Sequence, residues 1–316
     1  MGRMGWSAFG RRRAWGRGGL VAAVVVAGLL GGHALVPQTP ARVGSLLETF
    51  LPWVGVAVPV LLAAAVLLRS AVALAAAMLP AVVWAVLFGP LVLSAPGPEH
   101  DLVVVQHNVS DENPDPAGTA RALRAAGPDL VALEELTPSA LSAYAAALAG
   151  AYPYHATSGT VGLWSRHPLR DVRPLDIKPA GIGAGWQRGL RATAATGHGD
   201  VAVYVAHLPS VRIGATGLRS AWRDESAALL GEALAAERLD RVVLAGDLNA
   251  TLDDRGLAPL TDRMSTPRSG MAFSWPASTP LARIDQVLAR GGTVTGIRTL
   301  PPTTSDHLPV VAHIDY

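Results

Sequence analysis

Seven apolar runs between residues 101 and 316 constrain this chain most, because nearly all of them stop at a polar residue. They span 102–109, 130–133, 161–164, 201–206, 242–245, 284–288 and 308–314. Runs this short and this apolar read as strands buried on both faces. Helix-like stretches lie between some of them. Residues 116–126 are rich in Ala and Arg and are stopped by Gly127-Pro128; residues 138–148 are rich in Ala and Leu and end near Gly150; residues 218–236 carry apolar positions at helical spacing. Roughly 215 residues are enough for one large core. Many strands with a few helices predict an α/β or α+β sandwich.

The pattern is clearest in RVVLAGDLNA, residues 241–250. Four apolar residues in five read as a buried strand. Gly246 is expected to turn the backbone where that strand leaves the sheet. Asp247 and Asn249 stand two apart, so an extended chain would put both side chains on one side. Such a pair suits polarising a water and holding a phosphate oxygen. Other strands end at Asn108, at Glu134 and Glu135, and at His207; SDHLPV sets Asp306 and His307 before the last strand. Each has a bland reading alone, as a turn cap, a solvated acid or a satisfied core histidine. Asp285 differs, because an acid inside the apolar segment ARIDQVL needs a partner. Six strand ends of this kind in one domain point to a site.

The first third is a different kind of sequence. Residues 1–93 hold seven arginines against one acid, Glu48, whereas residues 94–316 hold 19 basic and 23 acidic residues. Stretches 19–36, 51–68 and 70–93 carry no charge. Each approaches the roughly 20 residues that cross about 30 Å of hydrocarbon, so three transmembrane helices are expected within a membrane region 1–93. Pro59, Pro80 and Pro90 are tolerable there. Arg3, Arg11, Arg12, Arg13 and Arg17 precede the first stretch, and Arg69 lies between the second and third. The positive-inside rule then sets the N-terminus in the cytoplasm and residue 94 onward outside, on a multi-pass cell-membrane protein. SAPGPEH, residues 94–100, reads as a linker. Seven extended residues reach at most about 25 Å, which would keep the following domain, 101–316, near the membrane surface. There is no cysteine, which excludes disulfides and thiolate metal sites.

The order Asn, Glu, His, Gly-Asp-x-Asn, Ile-Asp, Ser-Asp-His resembles that of the endonuclease/exonuclease/phosphatase superfamily, the DNase I-like proteins. GDLNA and SDHLPV carry the likeness, PYHATSGTVGLWSRHPL looks like the family's central segment, and the resemblance covers essentially all of 101–316. It implies a four-layer α/β sandwich, here preceded by the three expected transmembrane helices. It implies Glu135 as the main metal carboxylate, with Asn108 and Asp306 completing the metal surroundings. Asp247 would orient or deprotonate the attacking water. Asn249 and His207 would hold or protonate the scissile phosphate, and Asp285 would pair with His307, which contacts it. Glu134 stands where the family has Gln, which leaves both acids open as principal ligand. The acid that pairs with the middle histidine in DNase I has no counterpart placed here.

Oxygen ligands of this kind suit Mg²⁺ or Mn²⁺ better than Zn²⁺. No Gly-rich phosphate loop with Lys is present, which argues against nucleotide-driven phosphoryl transfer. The leading expectation is a membrane-anchored, metal-dependent phosphoester or pyrophosphate hydrolase at the outer face. Its partners would be the bilayer and a phosphate-bearing lipid or cell-envelope substrate, with no protein partner. The layout also resembles the VanJ-type membrane proteins linked to teicoplanin resistance. A tethered nuclease is the alternative, disfavoured by the acidic balance of the domain. A catalytically inactive binding module is the third reading, and it would predict losses in GDLNA or SDH that the sequence does not have.

Overall fold

A computed structural model describes residues 4–39, 41–94, 100–215 and 217–316. The linker expected at 94–100 falls outside the described residues over 95–99. The chain divides into two compact units, Met1–Pro90 and Leu91–Tyr316.

The helices of the first third are α1 (Met4–Gly31), α2 (Val43–Thr49), α3 (Leu51–Val54), α4 (Ala57–Leu67) and α5 (Ala71–Leu93). They correct the count of three transmembrane helices. Among the described residues only α5 is long and apolar enough to cross a membrane as one helix. The apolar part of α1 is Arg17–Gly31. Its 15 or so residues rise only about 22 Å, short of the roughly 30 Å needed. The second stretch belongs to a pair, Val43–Thr49 and Leu51–Leu67, bent by 76° at its break. That pair would count as a second crossing only if both pieces served as one span. Within this unit Glu48 is buried and meets His33 at 3.3 Å, and the Trp84 indole donates to the Pro52 carbonyl at 2.9 Å.

The second unit begins with β1 (Leu102–Asn108), α6 (Pro116–Ala125), β2 (Leu130–Glu134) and α7 (Pro138–Leu148). Five strands follow: β3 (Tyr154–Ser158), β4 (Val161–Ser165), β5 (Leu169–Pro174), β6 (Gly189–Thr196) and β7 (Gly199–Ala206). A small hairpin, β8 (Ile213–Gly214) and β9 (Gly217–Leu218), leads to α8 (Ala221–Ala236) and β10 (Val242–Asp247). The chain closes with α9 (Ala258–Thr261), β11 (Asp285–Arg290), β12 (Thr293–Thr299) and β13 (Val310–Asp315). Helices α6 and α7 start where the sequence supplies caps. The Asp115 and Thr137 side chains accept from the amides of Gly118 and Ala140, and each is followed by a proline that needs no such partner.

Two mixed sheets result, in the orders β12-β13-β1-β2-β4-β3 and β11-β10-β7-β6-β5. Alternation along each strand assigns its residues to layers. Val104, Ala132, Leu163 and Ala312 of one sheet share a core with Ala192, Val203, Ala245 and Val287 of the other. Their neighbours Val105, Val131, Trp164 and Val311 face Leu123, Tyr144 and Leu148 of α6 and α7. Tyr204, Val242 and Leu244 face Leu230 and Leu234 of α8 and Leu260 of α9. The order is helix, sheet, sheet, helix, an α/β sandwich that fits the DNase I-like fold. Burial on both faces is why the strands read as continuous apolar runs.

Four strands of the two large sheets lacked such runs. β5 is an exposed edge strand, β3 is half exposed, β12 alternates, and β6 reads GLRATAAT. In β6 the buried Arg191 is tied to Glu237 at 2.9 Å, so a charged residue occupies a core strand without an apolar signal.

Candidate active site

Sheet topology gathers the polar strand ends on one edge. β1 and β2 are parallel, as are β7 and β10, so Asn108, Glu134, His207 and Asp247 all lie at C-terminal ends. β11 runs antiparallel to β10 with Asp285 directly opposite Asp247. β13 runs antiparallel to β1, which brings the preceding 303–307 segment over the end of β1. There the Ser305 hydroxyl donates to the Asn108 carbonyl at 2.7 Å and accepts from the His307 amide at 3.1 Å.

Gly246 does not turn the chain. It lies inside β10, and a Cβ there would collide with the Ala206 carbonyl of β7. The glycine permits close approach of two strands, which brings Asp247 beside His207. Nor do Asp247 and Asn249 alternate on an extended chain. The strand ends at Asp247, and Asn249 takes a left-handed φ of 50°. That bend lets the Asn249 amide donate to Asp247 Oδ1 at 2.9 Å, while its side-chain Nδ2 donates to the Leu208 carbonyl at 2.9 Å. Here Asn249 holds Asp247 in place.

Asp247 Oδ2 is the hub of the site. It accepts from Asn108 Nδ2 at 3.0 Å and lies 3.6 Å from His207 Nε2 and 3.9 Å from His307 Nε2. Its carboxyl is buried, and burial is the main cause raising its pKa above the ordinary range. That suits a group which takes a proton from water near neutral pH. His307 Nδ1 and Asp285 Oδ2 are 2.8 Å apart. Burial would lower the His307 pKa, but Asp285 and Asp247 outweigh it and raise it to about 10. Burial likewise opposes charge on Asp285, and the His307 cation overrides it and holds the carboxyl low. The pair is an imidazolium fixed by a carboxylate.

His207 is buried and held neutral, first by burial and then by Arg188, whose Nη1 lies 3.2 and 3.3 Å from its two ring nitrogens. Glu135 comes within 3.8 Å of His207 Nε2, and accepts from the Asp111 amide at 3.2 Å. It sits at a left-handed φ of 59°, just past β2, and is partly exposed. Glu134 takes a different place. It is fully buried and accepts from Gln106 at 2.7 Å, and the same Gln106 amide donates to Asp285 at 3.0 Å. Burial, then Asp285, raises the Glu134 pKa well above the carboxylate range. Asp306 lies close enough for its charge to help raise the His307 pKa. It is exposed, and its backbone carbonyl accepts from Ala277 at 2.7 Å.

Asp247, Asp285 and His307 bring potential ligand atoms within 4.8 Å of one another. The 2.8 Å bond already commits His307 Nδ1 and Asp285 to each other. Asp247, which accepts from the Asn108 amide, and the partly exposed Glu135 remain as oxygen donors. Carboxylate and amide oxygens fit a hard divalent cation.

Sequence reading missed Arg188 and Gln106, which no motif marks, and gave no role to Ser305 although it opens SDHLPV. Gln106 lies within an apolar run, and Arg188 stands before a strand that carries no apolar signal.

A strand-end cluster of a buried carboxylate, a carboxylate-fixed imidazolium and oxygen donors, on a two-sheet sandwich, defines a class of phosphoester hydrolases. The model of the Endonuclease/Exonuclease/phosphatase family matches residues 105–307, and the chain belongs to that family of enzymes, which hydrolyse phosphoester bonds and generally use a divalent metal. Among curated proteins none matches the chain. Similar solved structures include sphingomyelinase C from Streptomyces griseocarneus, at 22% identity and TM-score 0.52, over 67% of this chain and 98% of that one. D. rerio TDP2 complexed with a single-strand DNA product is 17% identical, with TM-score 0.56 over 68% and 99%. The Bacteroides thetaiotaomicron mannosyl-6-phosphatase is 16% identical, with TM-score 0.56 over 68% and 100%.

Proposed function

We propose that the protein is a membrane-anchored, Mg²⁺-dependent hydrolase of a phosphoester or pyrophosphate bond. Its substrate is a phosphate-bearing lipid or lipid-linked cell-envelope intermediate at the outer face. One conjunction supports the reading: a phosphoester-hydrolase site on a chain that also carries the 23-residue apolar helix Ala71–Leu93. At about 1.5 Å per residue that helix covers the hydrocarbon thickness. The net acidic balance of residues 94–316 favours a lipid phosphate over a nucleic-acid backbone.

Glu135 and Asn108, with Asp247 beside them, would hold the ion. When bound, Mg²⁺ would neutralise charge on the phosphoryl oxygens and orient the leaving group. Asp247 accepts the proton of the attacking water. The His307 cation, fixed by Asp285, lies against the phosphoryl oxygens. Neutral His207 donates one hydrogen bond to the same group.

Orientation rests on the N-terminal arginines and on an odd number of crossings; two crossings would return the domain to the cytoplasm. A reporter active only outside the cytoplasm, fused after Tyr316, should be active, and silence would reverse the topology. The substrate is tested with the full protein in liposomes and Mg²⁺. Cleavage of undecaprenyl pyrophosphate or another lipid phosphate is expected. Brisk cleavage of plasmid DNA with no lipid activity would promote the nuclease.

A further inference from the structure

Arg188 reaches the site by strand register. Gly189 of β6 pairs with Ala206 of β7, and the ladder continues one step, with the His207 amide donating to the Arg188 carbonyl at 2.9 Å. Residues directly opposite on adjacent antiparallel strands present their side chains to the same face. The Arg188 guanidinium therefore lies against His207, over the Trp186 ring at 5.5 Å. It sits in the field of Glu135, Asp247 and Asp111, and among the described residues no carboxylate comes within 4.0 Å of it. Burial disfavours its charge, and those three acids only partly offset this.

A half-buried guanidinium beside a neutral histidine, unpaired amid three carboxylates, has donors to spare. A guanidinium fork matches two oxygens of one phosphoryl group. The donors already described, the His307 cation and neutral His207, can serve the two non-bridging oxygens of a diester. A terminal phosphoryl group has a third oxygen and a second negative charge.

We propose that Arg188 grips the terminal phosphoryl group of the substrate and makes this enzyme prefer a phosphomonoester or a terminal pyrophosphate over an internal diester. The inference rests on the phosphoester-hydrolase reading and names the substrate class of that site. The clamp needs the fork as well as the charge, so lysine would replace it poorly.

The test uses the full-length protein with Mg²⁺ and two substrates, p-nitrophenyl phosphate and bis-p-nitrophenyl phosphate. Arg188→Met keeps the stem over Trp186 and removes the fork. It should lower kcat/KM for the monoester about a hundredfold, the scale of losing a partly buried charged contact. The loss on the diester should stay within about tenfold, and Arg188→Lys should recover only part of the monoester rate. In parallel, calorimetric binding of inorganic phosphate should weaken at least about tenfold in Arg188→Met. Equal losses on both substrates, or unchanged phosphate binding in a variant of unchanged Tm, would overturn the proposal. If the unaltered protein cleaves neither substrate, the hydrolase reading fails there, and phosphate binding still decides the role of Arg188. Should Arg188→Met not fold, Arg188→Gln carries the same binding comparison.

Discussion

His307 and His207 both point at Asp247 Oδ2 from buried positions, one from the segment before β13 and one from the end of β7. Their settings are opposite. His307 has a carboxylate at 2.8 Å and keeps its proton. His207 has a guanidinium against its ring and does not. Burial disfavours the imidazolium in both places; Asp285 and Asp247 overcome it at His307, whereas at His207 burial prevails and Arg188 adds to it. The six-stranded sheet thus brings a fixed cation to the site. The five-stranded sheet brings a neutral hydrogen-bonding ring with its positive charge displaced onto Arg188. A site holding two cationic histidines around one buried carboxylate would favour ionised Asp247 and weaken it as a base.

Removing the hub or the cation should have the largest effect. Asp247→Asn and His307→Ala are each expected to lower turnover about a thousandfold, the usual scale for a general base or acid. Steady-state kinetics beside a melting curve checks this. Near-normal turnover in either folded variant would show that the roles lie elsewhere.

Asp285→Asn strikes at the contrast itself. Without the carboxylate, the His307 titration should fall from about 10 towards the ordinary value near 6.5, and turnover should drop about tenfold. Nitrogen-15 NMR of the imidazole reads the shift. The sign follows from linkage. A raised folded-state pKa gives stability that is full below about pH 6.5 and lost as pH climbs through about 10. Asp285, held low, contributes above its unfolded value near 3.9 and loses that contribution at lower pH. Both halves of the pair therefore act between these limits, and Asp285→Asn should flatten the alkaline loss of stability.

The two adjacent glutamates allow a finer test. Glu135→Gln should raise the Mg²⁺ concentration needed for activity about 10- to 100-fold. Glu134→Gln should change it little, because a carboxyl that keeps its proton in the core is close in shape and bonding to an amide. Mg²⁺ titrations of both variants decide the matter, and a larger defect at Glu134 would reverse the assignment. The smallest effect is on stability. Gly246→Ala forces β10 from β7 and should cost about 1–3 kcal/mol, read by denaturant unfolding. A neutral result would show that the strand contact holding His207 beside Asp247 is loose.

Much of this was legible in the chain. Doubly buried strands are continuous apolar runs, and β1, β2, β4, β7, β10, β11 and β13 were readable because both faces meet a packed layer. Polar residues at their ends were readable as a site because six such ends recur in one domain, although each alone could be a turn cap, a solvated acid or a core histidine. The edge strands and β6 were not readable. Their side chains meet water or, for Arg191, a partner 46 positions away. The three apolar stretches of the first third gave helices, yet composition does not say where a helix bends. The break after Thr49 and the reach of Arg17–Gly31 emerged only from the structure.

Within the site, the sequence alone determined which side chains are available and that Asp285 required a partner. Tertiary structure decided which neighbour each one has. Register placed Asp285 across from Asp247, and one further step of the β6–β7 ladder set Arg188 against His207. It turned Glu134 to Gln106 in the core and Glu135 to His207, and left Asp306 exposed. The physical reason is that charge state and reach depend on distances of a few ångströms between residues far apart in the chain. Those distances are set by strand pairing and sheet packing, which a linear pattern does not contain.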